Sequence, residues 1–193
     1  MTISYSEKNI YWNYYISIEE DLNKLSRFIE FAEKNEKVFS IELFRLLISS
    51  SSEFEVVSKE LCKVRRISKR IKGMKDIRTG LVSSYRNIYD HNIYDVEISI
   101  PKFGMKYKPL LNWKDDEDCD WWDSYNLVKH NRNAKYEEAH LKNVINAIGA
   151  LQIVNRYYYK SLISESGNIA INRGETPSLE SCLIKVSLPE NVI

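Results

Sequence analysis

One apolar stripe limits the folds open to this chain more than any other feature. Tyr11, Tyr15, Ile18, Leu22, Leu25, Ile29 and Ala32 follow one another in alternating steps of four and three. Side chains at such spacings share one face of an α-helix, and no strand register collects them. The stripe predicts a helix over residues 6–34, with Ser4 and Glu7 at capping-box spacing at its start. A helix that long has to lay its apolar face on a partner, and the partner follows at once. Ser40 is a good N-cap, and Phe44, Leu47, Phe54, Val57, Leu61 and Val64 stripe the residues after it. Ser49, Ser50, Ser51 and Ser52 are weak helix formers, but their small side chains allow another helix to come close. A short polar connection over residues 35–39 makes the pair an antiparallel hairpin.

The later elements are shorter. Residues 77–89 read as a helix. Residues 94–100 alternate apolar and polar side chains, as a half-buried strand does. Pro101-Lys102-Phe103-Gly104 supplies a turn and residues 105–108 alternate again, so a β-hairpin is expected near residues 94–109. A final helix is predicted from a cap at Asn133 to about residue 162, with Leu141, Val144, Ile148, Leu151, Tyr158 and Leu162 as its stripe. Gly167, Gly174 and Pro177 then mark turns before a weak apolar stretch at residues 182–188. The expected fold is an all-α domain over residues 1–164 with an inserted β-hairpin. Residues 165–193 form a tail, packed on that domain or partly mobile.

At 193 residues and 44% hydrophobic content, the chain suits one domain with a sizeable core and is not compositionally disordered. Its 28 Lys and Arg nearly balance 27 Asp and Glu, so net charge selects no partner. Local charge does more. Lys63, Arg65, Arg66, Lys69, Arg70, Lys72, Lys75 and Arg78 are interrupted by a single acid, Asp76. Such a run either contacts phosphates, with Lys63, Arg65, Arg66, Lys69, Arg70 and Lys72 as candidate RNA-binding residues, or is a solvated face. Asp115, Asp116, Glu117, Asp118 and Asp120 suit the positive end of a following helix. They lack the Gly turn of a calcium loop, so no metal site is expected. The three cysteines, Cys62, Cys119 and Cys182, are odd in number and have no CxxC pairing. They read as small buried side chains in a reducing compartment. No apolar run approaches the ~18 residues that span a bilayer. Residues 1–8 lack the apolar core of a signal peptide. The expected location is cytoplasmic, away from membranes.

Chemistry concentrates in Trp121-Trp122-Asp123-Ser124-Tyr125-Asn126-Leu127-Val128-Lys129-His130-Asn131-Arg132, which holds one of only three histidines. On a helix, Asp123, Asn126 and His130 fall on one face, with Lys129 one position round and Arg132 at the helix end. The tryptophans and Tyr125 read first as core anchors. His130 is either a structural histidine satisfied by a neighbouring amide or an acid/base beside two cations.

The spacing Tyr125-Asn126-x-x-x-His130, on a helix followed by a longer amphipathic helix, resembles the HEPN superfamily of helical domains. The likeness covers residues 5–163 by architecture and positions 125–130 by motif. It implies metal-independent cleavage of RNA, without a cofactor, in a cleft shared by two protomers. The resemblance makes His130 the acid/base and Asn126 the family's polar residue. It also implies a bacterial toxin or antiphage setting, with an antitoxin or defence protein as a further partner. Tyr125 stands where the family carries Arg, and a tyrosine supplies no fixed positive charge. Lys129 and Arg132 are the candidate replacements. Non-cleaving members serve as protein-interaction or nucleotide-binding modules, and that reading stays open beside the nuclease.

Overall fold

The computed structural model describes residues 9–67, 70–89, 91–165 and 179–188. Its helices are α1 (Ile10–Leu25), α2 (Ile41–Val64), α3 (Met74–Tyr89), α4 (Asp120–His130), the single turn α5 (Arg132–Lys135) and α6 (Leu141–Glu165). Three short strands, β1 (Glu97–Ile100), β2 (Met105–Tyr107) and β3 (Lys185–Ser187), form an antiparallel sheet in the order β2-β1-β3. The chain is mainly helical with a small sheet, one strand larger than the expected hairpin. Among the described residues, no helix is long and apolar enough to cross a membrane.

Helix α6 is the centre. Apart from half-buried Asn146, residues 143–155 are buried without a break, so the helix has no solvent face along this stretch. Helices α1, α2 and α4 and strand β3 pack against it, α2 most extensively. Ser50, Ser51 and Ser58 of α2 are buried, as their small size allows. Strand β1 approaches so closely that a Cβ on Gly149 would lie 2.2 Å from Ile98 Cδ1.

The first helix is shorter than its stripe suggests. Ser26 Oγ donates to the Asn23 carbonyl (2.7 Å), and Asn35 Nδ2 donates to the Glu30 carbonyl (2.8 Å). These side chains offer the backbone local partners in place of the next helical turn. The break sends Phe31 into the core, 5.0 Å from the Phe103 ring, and leaves Phe28 81% exposed. The proposed cap at Ser4 and Glu7 lies outside the described residues. Helix α2 begins as expected, with Ser40 Oγ accepting the Leu43 N–H (3.2 Å). Helix α3 starts at Met74, a turn earlier than residue 77.

The hairpin falls within residues 94–109, and Gly104 takes the left-handed conformation (φ +67°) that its turn requires. Residues 93–95 form a 3₁₀ turn and not the start of a strand. The last long helix begins at Leu141, eight residues beyond the expected cap at Asn133. Phe39 and His140 pair as a β-bridge, the Leu141 N–H donates to the Val38 carbonyl (2.9 Å), and the Lys142 N–H donates to Glu36 (3.1 Å). Those amides would point back to residues 137 and 138 in a continuous helix. The connection between α1 and α2 takes them instead.

Residues 179–188 are packed on the body and supply β3. Glu19, fully buried on α1, accepts the N–H groups of Cys182 (3.0 Å), Leu183 (3.3 Å) and Ile184 (2.8 Å). The hydroxyls of Tyr15 (2.9 Å) and Ser181 donate to it as well. Gln152 Nε2 donates to the Ile184 carbonyl (3.1 Å), and Arg156 donates to that of Leu179 (2.7 Å). Cys62 and Cys119 are buried as expected, and burial pushes the Cys62 thiol up to about 12; Cys182 is exposed.

Glu19 therefore ties residues 181–184 to α1 through the Ser181 hydroxyl, the three backbone N–H groups and the Cys182 thiol (3.4 Å). Glu19→Ala leaves these donors without their carboxylate and is expected to cost about 3 kcal/mol of stability. Urea unfolding checks the magnitude, and an unchanged midpoint would show that the carboxylate does not hold the segment.

Candidate functional site

Helix α4 divides its side chains sharply. Trp121, Trp122, Tyr125 and Val128 are buried. Trp121 Nε1 donates to the Pro109 carbonyl (2.8 Å), and its ring meets Phe54 edge-on at 5.0 Å. Trp122 lies 5.1 Å from the Tyr125 ring. Both tryptophans are core anchors. The opposite face carries Asp123, Lys129 and His130 exposed and Asn126 half-buried. The two families of positions interleave at helical spacing, so burying one set points the other at solvent.

His130 is the last residue of α4, and among the described residues its imidazole makes no hydrogen bond or ion pair. Asn126 stands one turn back, about 6 Å along the axis. Lys129 Nζ folds back to the Tyr125 hydroxyl (3.0 Å) and lies 5.0 Å from that ring's centroid. This contact raises the Lys129 pKa. The ammonium thus reaches the tip of the side chain that occupies the resemblance's Arg position. Arg132 begins α5, with its guanidinium 4.3 Å from the centroid of the Phe44 ring. At the other end of the face, partial burial, then Asp118 and Asp120, raise the Asp123 carboxyl.

The expected basic run is not part of this arrangement. Phe54 meets Trp121 and Trp122 while Phe44 meets Arg132, so α4 lies antiparallel along α2. Lys63 stands at the far end of α2, roughly 28 Å from Phe44 at the helical rise per residue. Lys63 pairs with Glu60 (2.5 Å), Arg65 lies 5.9 Å from the Tyr85 ring, and the Lys72 N–H donates to Asp76 (2.8 Å). Arg66 and Arg70 are exposed; Lys69 lies outside the described residues. Arg78, the last of the run, is buried, bonded to Asp116 (2.9 Å) and Asp118. The acidic approach to α4 therefore neutralises a core arginine, in addition to facing the helix dipole. Among the described residues no group of three His, Cys, Asp or Glu side chains could hold a metal ion.

A second polar cluster lies behind the motif helix. His140 is 4% exposed; Lys37 Nζ donates to its Nε2 (2.9 Å). Asn143 Nδ2 donates to Ser124 Oγ (2.8 Å) and the Glu138 carbonyl (3.0 Å). Glu36 accepts the Tyr107 hydroxyl (2.8 Å) and pairs with Lys142 (3.1 Å). Asn143 also lines a cavity of about 190 Å³ with Asn112, Trp121 and Asn146. His140 was not a candidate in the sequence. The polar pair His140 and Asn143, three apart where the mainly apolar stretch 141–154 begins, is the signal that marks it. With Nε2 engaged by an ammonium, its role is to lock the connection between α1 and α2 against α6.

Comparison of the chain with known protein families, curated proteins and solved structures gives no match.

Burial, then the charge of Lys37, depress the His140 pKa. The unfolded chain therefore binds a proton at His140 that the folded chain refuses. Stability attributable to this residue is complete well above pH 6.5 and falls as pH drops below it, by at most about 1.4 kcal/mol per pH unit. Unfolding measured from pH 7.5 to 5.5 is expected to show this decline in the wild type. His140→Gln should show a shallower decline, and equal slopes would rule His140 out as its source.

Proposed function

We propose that this chain is a HEPN-like helical protein that binds RNA at the C-terminal end of α4 and cleaves it without metal when two copies pair. The observation that carries the reading is the charge around His130. Lys129, Arg132 and Lys135 lie within seven residues, and among the described residues no carboxylate is within ion-pair distance of any of them. Lys24, Arg45, Lys59, Lys63, Lys106, Lys108 and Lys142 have acidic partners; Lys34, Lys75 and Lys114 have none among the described residues, but no histidine flanks them in the chain. Unpaired cations beside an exposed imidazole suit a phosphodiester.

In this reading His130 takes the proton of a ribose 2′-hydroxyl. The 2′-oxygen bonds to the adjacent phosphorus, the bond from phosphorus to the 5′-oxygen breaks, and the second copy's imidazole protonates the leaving oxygen. Asn126 positions the phosphate, and Lys129 and Arg132 offset its growing negative charge. Pairing is supported by the open surface around His130 and by Leu127, 42% exposed one turn before it on α4.

A second reading, a non-cleaving interaction module, is favoured by Tyr125, which is 3% exposed and offers no guanidinium. Cleavage of a labelled RNA in EDTA separates the two. Wild type is expected to cut and leave a 2′,3′-cyclic phosphate. His130→Ala should fall at least about 100-fold, the usual contribution of an acid/base, with its melting temperature unchanged. Equal rates in both proteins, or none in either, would overturn the nuclease and leave RNA binding to be judged from affinity.

A further inference from the structure

Beside the cations of the α4 end lies a chain of aromatic rings that runs from Phe44, packed against the core, out to the half-exposed Phe39, and the cleavage chemistry uses none of them. Phe39 is 49% exposed, and its ring meets Tyr136 edge-on at 5.8 Å and 90°. Tyr136 in turn lies 5.7 Å from Phe44. Arg132, two residues along the chain from His130, lies over the Phe44 ring as well. The backbone holds Phe39 where it is. Residue 39 pairs with His140 and precedes the cap that starts α2, so the ring is presented from two fixed elements.

An apolar ring left half in water, as Phe39 is, is unfavourable for folding, and an explanation lies in what could cover it. The neighbouring charge narrows the choice. Lys129, Arg132 and Lys135 call for an anion, while Phe39, backed edge-on by Tyr136, calls for a flat apolar face. A single-stranded nucleic acid carries both, phosphates and bases, at the spacing of one nucleotide. A paired duplex hides its base faces inside the stack and offers the rings nothing.

We propose that Phe39, Phe44 and Tyr136, together with Arg132, form a subsite that stacks an unpaired nucleobase next to the phosphate held at His130. This rests on the RNA reading above and adds to it which part of the RNA the chain grips. The base would lie on Phe39 or on the outer plane of the Arg132 guanidinium, placing its own ribose toward the α4 end. Recognition through ring faces tolerates any base and demands only that it be unpaired.

Binding of fluorescently labelled 12-nucleotide RNA, followed by anisotropy, tests this with His130→Ala as the background to prevent cleavage. Phe39→Ala is expected to weaken binding about 5- to 150-fold, the range for losing one stacked base, and Phe39→Tyr to retain it. A single abasic position in the RNA should cost the parent protein affinity but cost the Phe39→Ala protein little. A duplex of the same sequence should bind more weakly than either strand. Equal affinity for Phe39→Ala and its parent overturns the subsite while RNA binding stands. A duplex bound as tightly as the single strand also overturns it. If no protein binds any RNA, the RNA reading fails and the subsite fails with it. Loss of self-association in Phe39→Ala, with RNA affinity unchanged, assigns the rings to a contact between copies of the chain and overturns the proposal.

Discussion

A helix that is buried on every side has to be enclosed, and the enclosure of α6 determines where everything else goes. Its 25 residues run roughly 37 Å, and nearly every position in the first half is buried. Helices α1, α2 and α4 form walls, and β1 fills the gap where Gly149 leaves no side chain. The wall α4 is committed through Trp121, Trp122, Tyr125 and Val128. Four buried side chains, three of them large aromatics, leave that helix no freedom to rotate. Asn126, Lys129 and His130 therefore face outward in a fixed presentation. The candidate site is a by-product of core packing on the opposite face of one short helix.

Two polar ties close the enclosure at its ends. At one, His140 and the amides of Leu141 and Lys142 fasten the start of α6 to the connection between α1 and α2. At the other, Glu19 gathers residues 181–184 onto α1 and so brings β3 beside β1. A buried carboxylate is costly unless its acceptor sites are filled, and here backbone amides and hydroxyls fill them. Both ties join residues more than 100 positions apart, which is why they leave almost no local trace.

That distinction explains what could be read from the residues alone. Helix α2, its cap at Ser40 and the faces of α4 follow from periodicity, which is a local property. The end of α1 was hidden because Ile29 and Ala32 continue the stripe, although Ser26 and Asn35 offer the backbone other partners. The start of α6 was hidden because its competing acceptors, Glu36 and Val38, belong to another element. In the site, His130 and Asn126 were legible from spacing. Arg132 over Phe44, and the separation of the basic run from His130, were not, because both depend on α4 lying antiparallel to α2.

The same contacts account for how a nearly neutral protein keeps a concentrated positive charge. Like charges within a Debye length of about 10 Å repel and weaken the fold, so an exposed cation is often matched by an acid, as Lys24, Arg45, Lys59, Lys63, Lys106, Lys108 and Lys142 are. Around His130 the partners are neutral instead. The phenol of Tyr125 receives the Lys129 ammonium, and the ring of Phe44 receives the Arg132 guanidinium. A hydroxyl dipole and a π face both hold a cation in place without cancelling its charge. Carboxylates at the same positions would order the side chains equally well and leave nothing for a phosphate to meet. The tyrosine in the motif thus has a physical role beyond packing: it fixes the direction of Lys129 and leaves its charge available.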